Sequence, residues 1–267
     1  MLKSLVVSIH PTAVIDPEAR IAPDVQIGPY CVIGKHVTVG PGNILKSHVN
    51  LQGPLRVGAN NVFFPFSVMG EIPQDRKYQG ELSEAIIGDQ NVFREFVTVN
   101  RGTQGGGMIT RIGNHNLLMA YTHIAHDCIL EDYCILANGV TLAGHVEIHS
   151  HATIGGMVGI TQFNRIGSHT YIGGDSFIRK DVLPYTIGKG HEFRLQGVNL
   201  VGLRRTNVEA PVIQDIKEMF HILVTRDCTF EEAKQALRQL GLEKPHVSKM
   251  MQFCEKTKTG IYRNNIN

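Results

Sequence analysis

Apolar residues recur at every sixth position over most of this chain, and that spacing restricts the folds open to it. The series comprises Ile9, Ile15, Ile21, Ile27, Ile33, Val39, Leu45, Leu51, Val57, Phe63, Met69, Ile87, Phe93, Val99, Ile112, Leu118, Ile124, Leu130, Leu136, Leu142, Ile148, Ile154, Ile160, Ile166, Ile172 and Ile178. A helix places its apolar residues three and four apart, and a flat strand places them two apart. A period of six therefore predicts short strands joined by turns and wound into a coil.

A second position of the hexad is small, four residues after the apolar one. It holds Val25, Cys31, Val37, Cys128, Cys134, Val140, Val146, Ala152 and Val158. We expect both positions to point inward and the other four to face outward. Glycine often follows the apolar residue, as in Ile27-Gly28 and Ile172-Gly173, and we expect it to supply the backbone angles of tight corners. The pattern predicts a parallel β-helix, with about 18 residues per triangular coil and about 4.8 Å between coils.

The repeat is interrupted at about 70–86 and 100–111, and it ends near Pro184. Loops on a rigid scaffold often carry binding residues, although a tolerated surface insertion is equally compatible with the pattern. Residues 208–224 have helical spacing and predict a first helix. The capping box Thr229–Glu232 opens a second helix, which Gly241 ends. A third helix is predicted over 246–256, after Pro245. We predict a β-helix over residues 1–190 and a small helical domain over 191–267.

Composition excludes several classes of protein. The 26 Lys and Arg residues nearly balance the 24 Asp and Glu residues, which argues against a nucleic-acid partner. Five cysteines without a C-x-x-C pair argue against a disulfide framework or zinc finger and favour a reducing cytosol. No apolar run is long enough to span a membrane, and the N-terminal run is too short for a secretory signal. These features predict a cytoplasmic protein.

The coil geometry brings two histidines together. Because residues 18 apart stack, His126 should lie over Gly144 and then Gln162, and Asp127 should lie over His145. A histidine can accept a hydroxyl proton, and an exposed Gly144 N–H can hold a developing oxyanion, which together suit acyl transfer to an alcohol. Most of the 13 histidines must nevertheless be solvated residues without a catalytic role.

Other polar residues have weaker signals. We interpret His115, His149, His151 and His169 as surface residues, and Cys31, Cys128 and Cys134 as small core residues rather than catalytic thiols. Lys77 and the Arg204-Arg205 pair are candidates for phosphate binding. The basic residues of the helical end are candidates for receiving an acidic protein, although acidic residues are mixed with them. These are Lys217, Arg226, Lys234, Arg238 and Lys249.

Five motifs resemble one family of hexapeptide-repeat enzymes. They are His-Ile-Ala-His-Asp-Cys at 123–128, Leu-Ala-Gly-His-Val at 142–146, Ile-Gly-Gly-Met at 154–157, Pro-Gln-Asp-Arg-Lys-Tyr at 73–78 and Gly-Val-Asn-Leu-Val-Gly-Leu-Arg-Arg at 197–205. The chain thereby resembles the UDP-N-acetylglucosamine O-acyltransferases, the first enzymes of lipid A synthesis in Gram-negative bacteria. The resemblance covers nearly the whole chain, including its helical end.

The resemblance implies a left-handed coil and a cytoplasmic homotrimer with active sites between neighbouring subunits. It implies transfer of a 3-hydroxyacyl group from acyl carrier protein to the 3-hydroxyl of UDP-N-acetylglucosamine, without a metal or other cofactor. His126 would be the general base, Asp127 would orient it, and the Gly144 N–H would stabilise the oxyanion. Neighbours in a flat strand point opposite ways, so this role for Asp127 requires a corner there.

The resemblance also assigns binding roles. The sugar would contact His123, His145, Asp75 and Lys77, and the nucleotide and phosphates would contact Gln162, Asn199 and Arg205. Gly174 matches the position that limits acyl length, and a glycine there implies an open groove and a longer chain.

Three residues depart from the family pattern, and all fall in the implied nucleotide and sugar pocket. Thr161 replaces the usual histidine, Val201 replaces a common acidic residue, and Thr206 replaces a second basic residue. They leave open an acceptor with a 3-amino group, which would yield an amide, or a different nucleotide sugar.

Three further hypotheses compete with this one. A zinc-dependent hexapeptide hydratase, resembling carbonic anhydrase, would use His123, His126 and His145 as ligands, but the helical end and the 73–77 motif count against it. A non-catalytic hexapeptide scaffold is a second possibility. The later N-acyltransferase of the same pathway is a third, but that enzyme carries an extra N-terminal domain, whereas the repeats here start at Ile9.

Overall fold

The computed structural model describes residues 9–263, and its hexads form short strands that build a triangular prism. The strands are β1 (Val14–Ile15), β2 (Arg20–Ile21), β3 (Gln26–Ile27), β4 (Val32–Ile33), β5 (Val37–Val39), β6 (Ile44–Leu45), β7 (Asn50–Leu51), β8 (Leu55–Val57), β9 (Val62–Phe63), β10 (Val68–Glu71), β11 (Glu84–Ile87), β12 (Val92–Phe93), β13 (Thr98–Asn100), β14 (Ile109–Ile112), β15 (Leu117–Leu118), β16 (His123–Ile124), β17 (Ile129–Leu130), β18 (Ile135–Leu136), β19 (Thr141–Leu142), β20 (Glu147–Ile148), β21 (Thr153–Ile154), β22 (Gly159–Ile160), β23 (Arg165–Ile166), β24 (Tyr171–Ile172), β25 (Phe177–Ile178), β26 (Thr186–Lys189) and β27 (Arg194–Val198).

Three sheets of nine, eight and ten strands form the faces of the prism. Successive coils pair in parallel with partners 18 residues apart, as Val14 does with Val32. The first insertion widens this separation to 30 residues, between Met69 and Val99, and the second widens it to 25, between Val99 and Ile124. The predicted left-handed parallel β-helix is therefore confirmed, with both interruptions where the sequence places them.

The apolar positions line the inside of the prism as predicted. Phe63 and Phe93 are fully buried and stack with their ring centroids 4.9 Å apart. The small inward position also holds a ladder of buried asparagines that the sequence analysis did not identify. The Asn61 backbone N–H donates to Asn43 Oδ1, and those of Asn91 and Asn116 continue the series at 2.8–2.9 Å. Each side chain thus satisfies a backbone donor of the next coil.

The corners of the coil depend on residues with positive φ, three positions after the apolar residue. Examples are Tyr30 and His48, both at 58°, and Asp127 at 59°. The preceding position is proline at a few corners, as at Pro29, which is the arrangement of a type II turn. Histidine, aspartate and asparagine tolerate positive φ better than most residues. Six of the 13 histidines stand at such corners, namely His36, His48, His115, His145, His151 and His169.

The role expected for the glycines after the apolar residues is wrong. Gly28 and Gly40 do not have positive φ. A Cβ on Gly40 would lie 2.5 Å from the carbonyl oxygen of Gly58 in the next coil. These glycines are needed because the neighbouring coil approaches closely, and the corner itself is formed two residues later.

One edge of the prism carries a stack of corner rings. His115, Tyr133, His151, His169 and Tyr185 follow one another with centroids 4.6–5.8 Å apart. Of the four histidines predicted to be surface residues, only His115 is well exposed, and the other three are half-buried. Burial lowers the pKa of both His149 and His169.

Four α-helices follow the coils: α1 (Leu200–Arg205), α2 (Ala210–Phe220), α3 (Phe230–Arg238) and α4 (Pro245–Glu255). A π-helical turn, His221–Thr225, continues α2, and Gln104–Gly106 forms a short 3-10 turn in the second insertion. The predicted capping box is confirmed, since Thr229 and Glu232 cap α3 reciprocally. Helix α1 was not predicted. The domain boundary at residue 190 stays a prediction.

Strands β26 and β27 pair antiparallel and lead from the coils into α1. Among residues 9–263, the helices are all too short or too polar to cross a membrane.

We predict that His169 makes folding sensitive to acid. Burial lowers its pKa from 6.5 to about 4. As the pH falls from 6.5 to about 4, this histidine is protonated in the unfolded chain but not in the folded chain, so the free energy of unfolding decreases. His169→Phe keeps a ring at a corner type that Phe163 also occupies, and removes the titrating group. Between pH 7 and pH 4 the free energy of unfolding should fall by roughly 1–2 kcal/mol less in the variant than in the parent, allowing for solvent screening.

Denaturant unfolding at several pH values measures this difference. Tyr133→Phe, in the same stack, is the matched control and should follow the parent. Equal acid sensitivity in His169→Phe and the parent would contradict the assignment.

Candidate active site

A histidine and an aspartate form a dyad at one corner of the coil. Asp127 has a φ of 59°, so the chain turns between it and His126. The two side chains consequently meet, with His126 Nδ1 2.8 Å from Asp127 Oδ2. The corner that the resemblance required is present. Both residues are buried, and the Asp127 side chain is fully enclosed.

The second insertion encloses the Asp127 carboxylate. The Thr103 backbone N–H donates to Oδ1 at 2.8 Å, and the Thr103 hydroxyl donates to Oδ2 at 2.5 Å. Gly106 packs directly on the carboxylate, since a Cβ there would overlap it. The Asp127 N–H donates to the Thr110 hydroxyl at 2.8 Å. The roles of Thr103, Gly106 and Thr110 were not predicted, and the glycine triplet at 105–107 was the one signal of them in the sequence.

Gly144 lies directly beneath the His126 ring. A Cβ on Gly144 would stand 2.7 Å from His126 Nε2, so only glycine allows the ring this position. The stacking predicted from the 18-residue spacing is present, because the His145 N–H donates to the His126 carbonyl at 3.1 Å. Gly144 is buried rather than exposed as expected, and within residues 9–263 its N–H has no protein acceptor. It occupies the corner position that holds proline in several other coils, and proline has no backbone N–H.

Two more histidines border the dyad. His123 Nδ1 lies 2.7 Å from the Thr98 hydroxyl, and burial followed by the neighbouring His126 lowers the pKa of His123. The His145 ring stands nearly perpendicular to that of His126, with centroids 5.1 Å apart, and stacks on Phe163. Burial lowers the pKa of His145, partly offset by Asp127. Both rings therefore favour the neutral form that can donate and accept hydrogen bonds.

The first insertion carries Asp75 near this edge, and Lys77 follows it two residues later. The Lys77 N–H donates to Asp75 Oδ1 at 3.0 Å, and Asp75 acts electrostatically on His145. The insertion is tied to the second one by Arg101, whose guanidinium donates to the Tyr78 hydroxyl at 3.1 Å. The Lys77 side chain is exposed and Asp75 is half-buried.

Other predicted residues lie at a different edge of the prism. Asn199 and Arg205 line a cleft of about 640 Å³ between α1 and the His151–His169 corner. Asn199 caps α1 by accepting from the Gly202 N–H at 3.0 Å, and it donates to the His169 carbonyl at 2.8 Å. Within one chain, the predicted site residues thus form two groups rather than one.

The three departures from the family pattern differ in their surroundings. Val201 and Thr206 line the α1 cleft, and Val201 is exposed. Thr161 donates its hydroxyl to the Ile178 carbonyl at 3.1 Å and accepts from Asn164 at 2.5 Å, so its polar atom is engaged within its own coils. Gln162, in the coil after Gly144, is exposed, and so is Gly174.

The site has one group of potential metal ligands among the described residues. Atoms of His126, Asp127 and His145 lie within 4.8 Å of one another. This is not the three-histidine set of the zinc hypothesis, because His123 is engaged with Thr98. The Asp127 carboxylate already accepts from three donors and is closed to solvent. The arrangement suits proton transfer at His126 Nε2 beside a free backbone N–H.

Two family models match parts of this chain. Residues 181–262 match the family model described as UDP-N-acetylglucosamine O-acyltransferase, domain 2, and residues 7–41 and 109–144 match the bacterial transferase hexapeptide model.

Solved structures of three bacterial enzymes are similar over 96% of this chain. The UDP-N-acetylglucosamine O-acyltransferase of Moraxella catarrhalis is 39% identical, with a TM-score of 0.93 and all of its chain covered. LpxA of Acinetobacter baumannii is 44% identical, with a TM-score of 0.93 and full coverage. The UDP-N-acetylglucosamine acyltransferase of Francisella novicida is 36% identical, with a TM-score of 0.94 and 94% of its chain covered. With this identity and coverage, the chain belongs to the UDP-N-acetylglucosamine O-acyltransferase family.

Proposed function

We propose that this chain transfers a 3-hydroxyacyl group from acyl carrier protein to the 3-hydroxyl of UDP-N-acetylglucosamine, the first step of lipid A synthesis. The observation that supports this most is the His126–Asp127 dyad beside the free N–H of Gly144. A base next to an oxyanion donor is what acyl transfer requires. Membership of the family supplies the substrate class.

In the proposed reaction, His126 Nε2 takes the proton of the sugar 3-hydroxyl as its oxygen attacks the thioester carbonyl. Asp127 holds Nδ1 and stabilises the imidazolium that forms. The Gly144 N–H donates to the oxyanion of the tetrahedral intermediate. The intermediate collapses by breaking its carbon–sulfur bond, and the imidazolium returns the proton to the departing thiolate. The products are the ester and free carrier thiol, and the residues supply this chemistry without a cofactor.

The binding residues fit a site shared between copies of the chain. His123 and His145 border the dyad, and Asp75 acts on His145 from the insertion that also carries Lys77. Asn199 and Arg205 lie in the α1 cleft at another edge. A neighbouring copy that brings its own cleft against the dyad would complete one substrate site. We therefore propose a homotrimer in which one subunit binds the sugar and the next binds the nucleotide and phosphates, for which Gln162 is a further ligand.

The helical end is the proposed docking surface for acyl carrier protein, which is acidic. Lys217, Arg226 and Lys249 are exposed and have no ion-pair partner within residues 9–263. Lys234 and Arg238 instead pair with Glu231 and Glu255. Three exposed, unpaired cations should speed the encounter with an acidic carrier protein more than they strengthen its binding. An acyl carrier protein as partner supports a cytoplasmic location.

We predict that His126→Ala severely slows acyl transfer. Loss of a general base costs about 10²–10⁴ in rate. The assay supplies 3-hydroxyacyl carrier proteins of several lengths with UDP-N-acetylglucosamine or its 3-amino analogue. His115→Ala, at an exposed corner outside the site, is the control and should retain activity.

The two acceptors separate the remaining hypotheses. Transfer to the 3-hydroxy sugar supports the proposal, and transfer only to the 3-amino sugar assigns an N-acylation. No transfer to either would favour a scaffold, and activity that persists in His126→Ala would exclude His126 as the base.

We predict that Gly174→Met shortens the preferred acyl chain. Gly174 is exposed, so a side chain there would stand in the implied acyl groove. Its Cβ would lie 3.1 Å from the Gly156 carbonyl oxygen of the neighbouring coil, a tight contact that a shift of a few tenths of an ångström relieves. Each methylene that loses its apolar contact costs about 0.8 kcal/mol, or roughly fourfold in kcat/KM. Competition among carrier proteins of different acyl lengths measures the shift. An unchanged optimum would mean that the groove ends elsewhere.

A further inference from the structure

We propose that Thr103 is a positioning residue whose hydroxyl fixes the orientation and charge of the Asp127 carboxylate, and through it the His126 base. This inference rests on the proposed function, because it concerns the same dyad. Thr103 lies outside every motif that carries the family resemblance, in the second insertion.

The contacts of Thr103 reach both carboxylate oxygens. Its backbone N–H donates to Asp127 Oδ1 at 2.8 Å, and its hydroxyl donates to Oδ2 at 2.5 Å. Oδ2 is also the oxygen that faces His126 Nδ1 at 2.8 Å. One residue therefore prevents the carboxylate from rotating and donates to the atom that orients the base. Charge-assisted bonds of this length are strong.

The loop that carries Thr103 is itself held in place. Gly106 and Met108 donate back to the Thr103 carbonyl at 3.1 and 2.9 Å. The Gln104 N–H donates to Glu81 Oε1 at 3.1 Å, and the Arg101 N–H donates to the Glu71 carbonyl at 3.0 Å. Both of these acceptors, Glu71 and Glu81, belong to the first insertion and flank its 73–78 motif, which carries Asp75 and Lys77. The second insertion is thus a clamp on the dyad, anchored to the sugar-binding loop.

Removal of the Thr103 hydroxyl has a defined electrostatic consequence. The hydroxyl draws charge from Oδ2, and without it the carboxylate presents more negative charge to the imidazole. An opposite charge nearby favours the protonated ring, so the base becomes neutral only at higher pH. The other titrating groups that face the ring are His145 and His123, and Asp75 acts on His145. The substitution alters none of them.

Thr103→Val tests the hydroxyl, because valine keeps the N–H and the branched shape. We expect kcat to fall about tenfold with KM for the UDP-sugar little changed. The acidic limb of the kcat/KM profile should move up by roughly 0.5–1 pH unit. Thr103→Ser keeps the hydroxyl and should restore both the rate and the profile. If Thr103→Val lowered kcat equally at every pH, or if Thr103→Ser did not restore it, Thr103 would have only a structural role.

A glycine pair in the same loop tests the clamp independently. Gly106→Ala places a Cβ into the Asp127 carboxylate, whereas Gly105→Ala places one in open space. We expect Gly106→Ala to lose at least tenfold in kcat and Gly105→Ala to match the parent. Equal activity of the two variants would show that the loop does not hold the dyad.

A measurement without turnover separates this inference from the proposed function. The ¹⁵N signals of labelled histidines, assigned with His126→Gln, are followed against pH in the intact protein and in Thr103→Val. The His126 signal should titrate at higher pH in the variant even if no acyl acceptor is found. An unchanged His126 titration would overturn the positioning role, whereas an inactive parent protein would overturn only the proposed reaction.

Discussion

The backbone hydrogen bonds between successive coils fix the register of the strands, and both the core and the His126–Asp127 dyad depend on that register. Each strand is only two to five residues long and gains its stability from parallel neighbours 18 positions away. A one-residue slip would turn the buried apolar series outward and expose the core. Both insertions respect this constraint, since the strands after each return to the same faces. The same register that buries Ile124 and Leu142 also places His126 above Gly144.

Much of this could be predicted from the sequence because the repeat is a local rule applied many times. The period of six, the inward positions and the stacking of residues 18 apart need no knowledge of distant contacts. The capping box of α3 is likewise local. The glycines were misread because a six-residue pattern does not distinguish a need for positive φ from a need for close approach. The neighbouring coil decides that question at Gly40.

The contacts of the insertions could not be predicted, because they connect residues without a fixed spacing. Thr103 reaches Asp127 across 24 positions, and Arg101 reaches Tyr78 across 23. Once the repeat is broken, no periodic rule says which loop residue returns to which coil. The half-buried state of His149 and His169 could not be predicted for a related reason. Both line a cleft against α4, an element whose placement over the coils the pattern does not describe.

The corner geometry explains why a catalytic dyad can occupy adjacent positions in a β-structure. Flat strands send neighbouring side chains to opposite faces, but positive φ at Asp127 brings it to the same side as His126. Every coil has such corners, and several carry histidines that stack without a buried carboxylate beside them. What distinguishes this corner is the second insertion, which excludes water from Asp127 and satisfies its oxygens. The coil thus brings adjacent side chains to the same side at each of its corners. The second insertion makes the His126–Asp127 corner chemically different from the others.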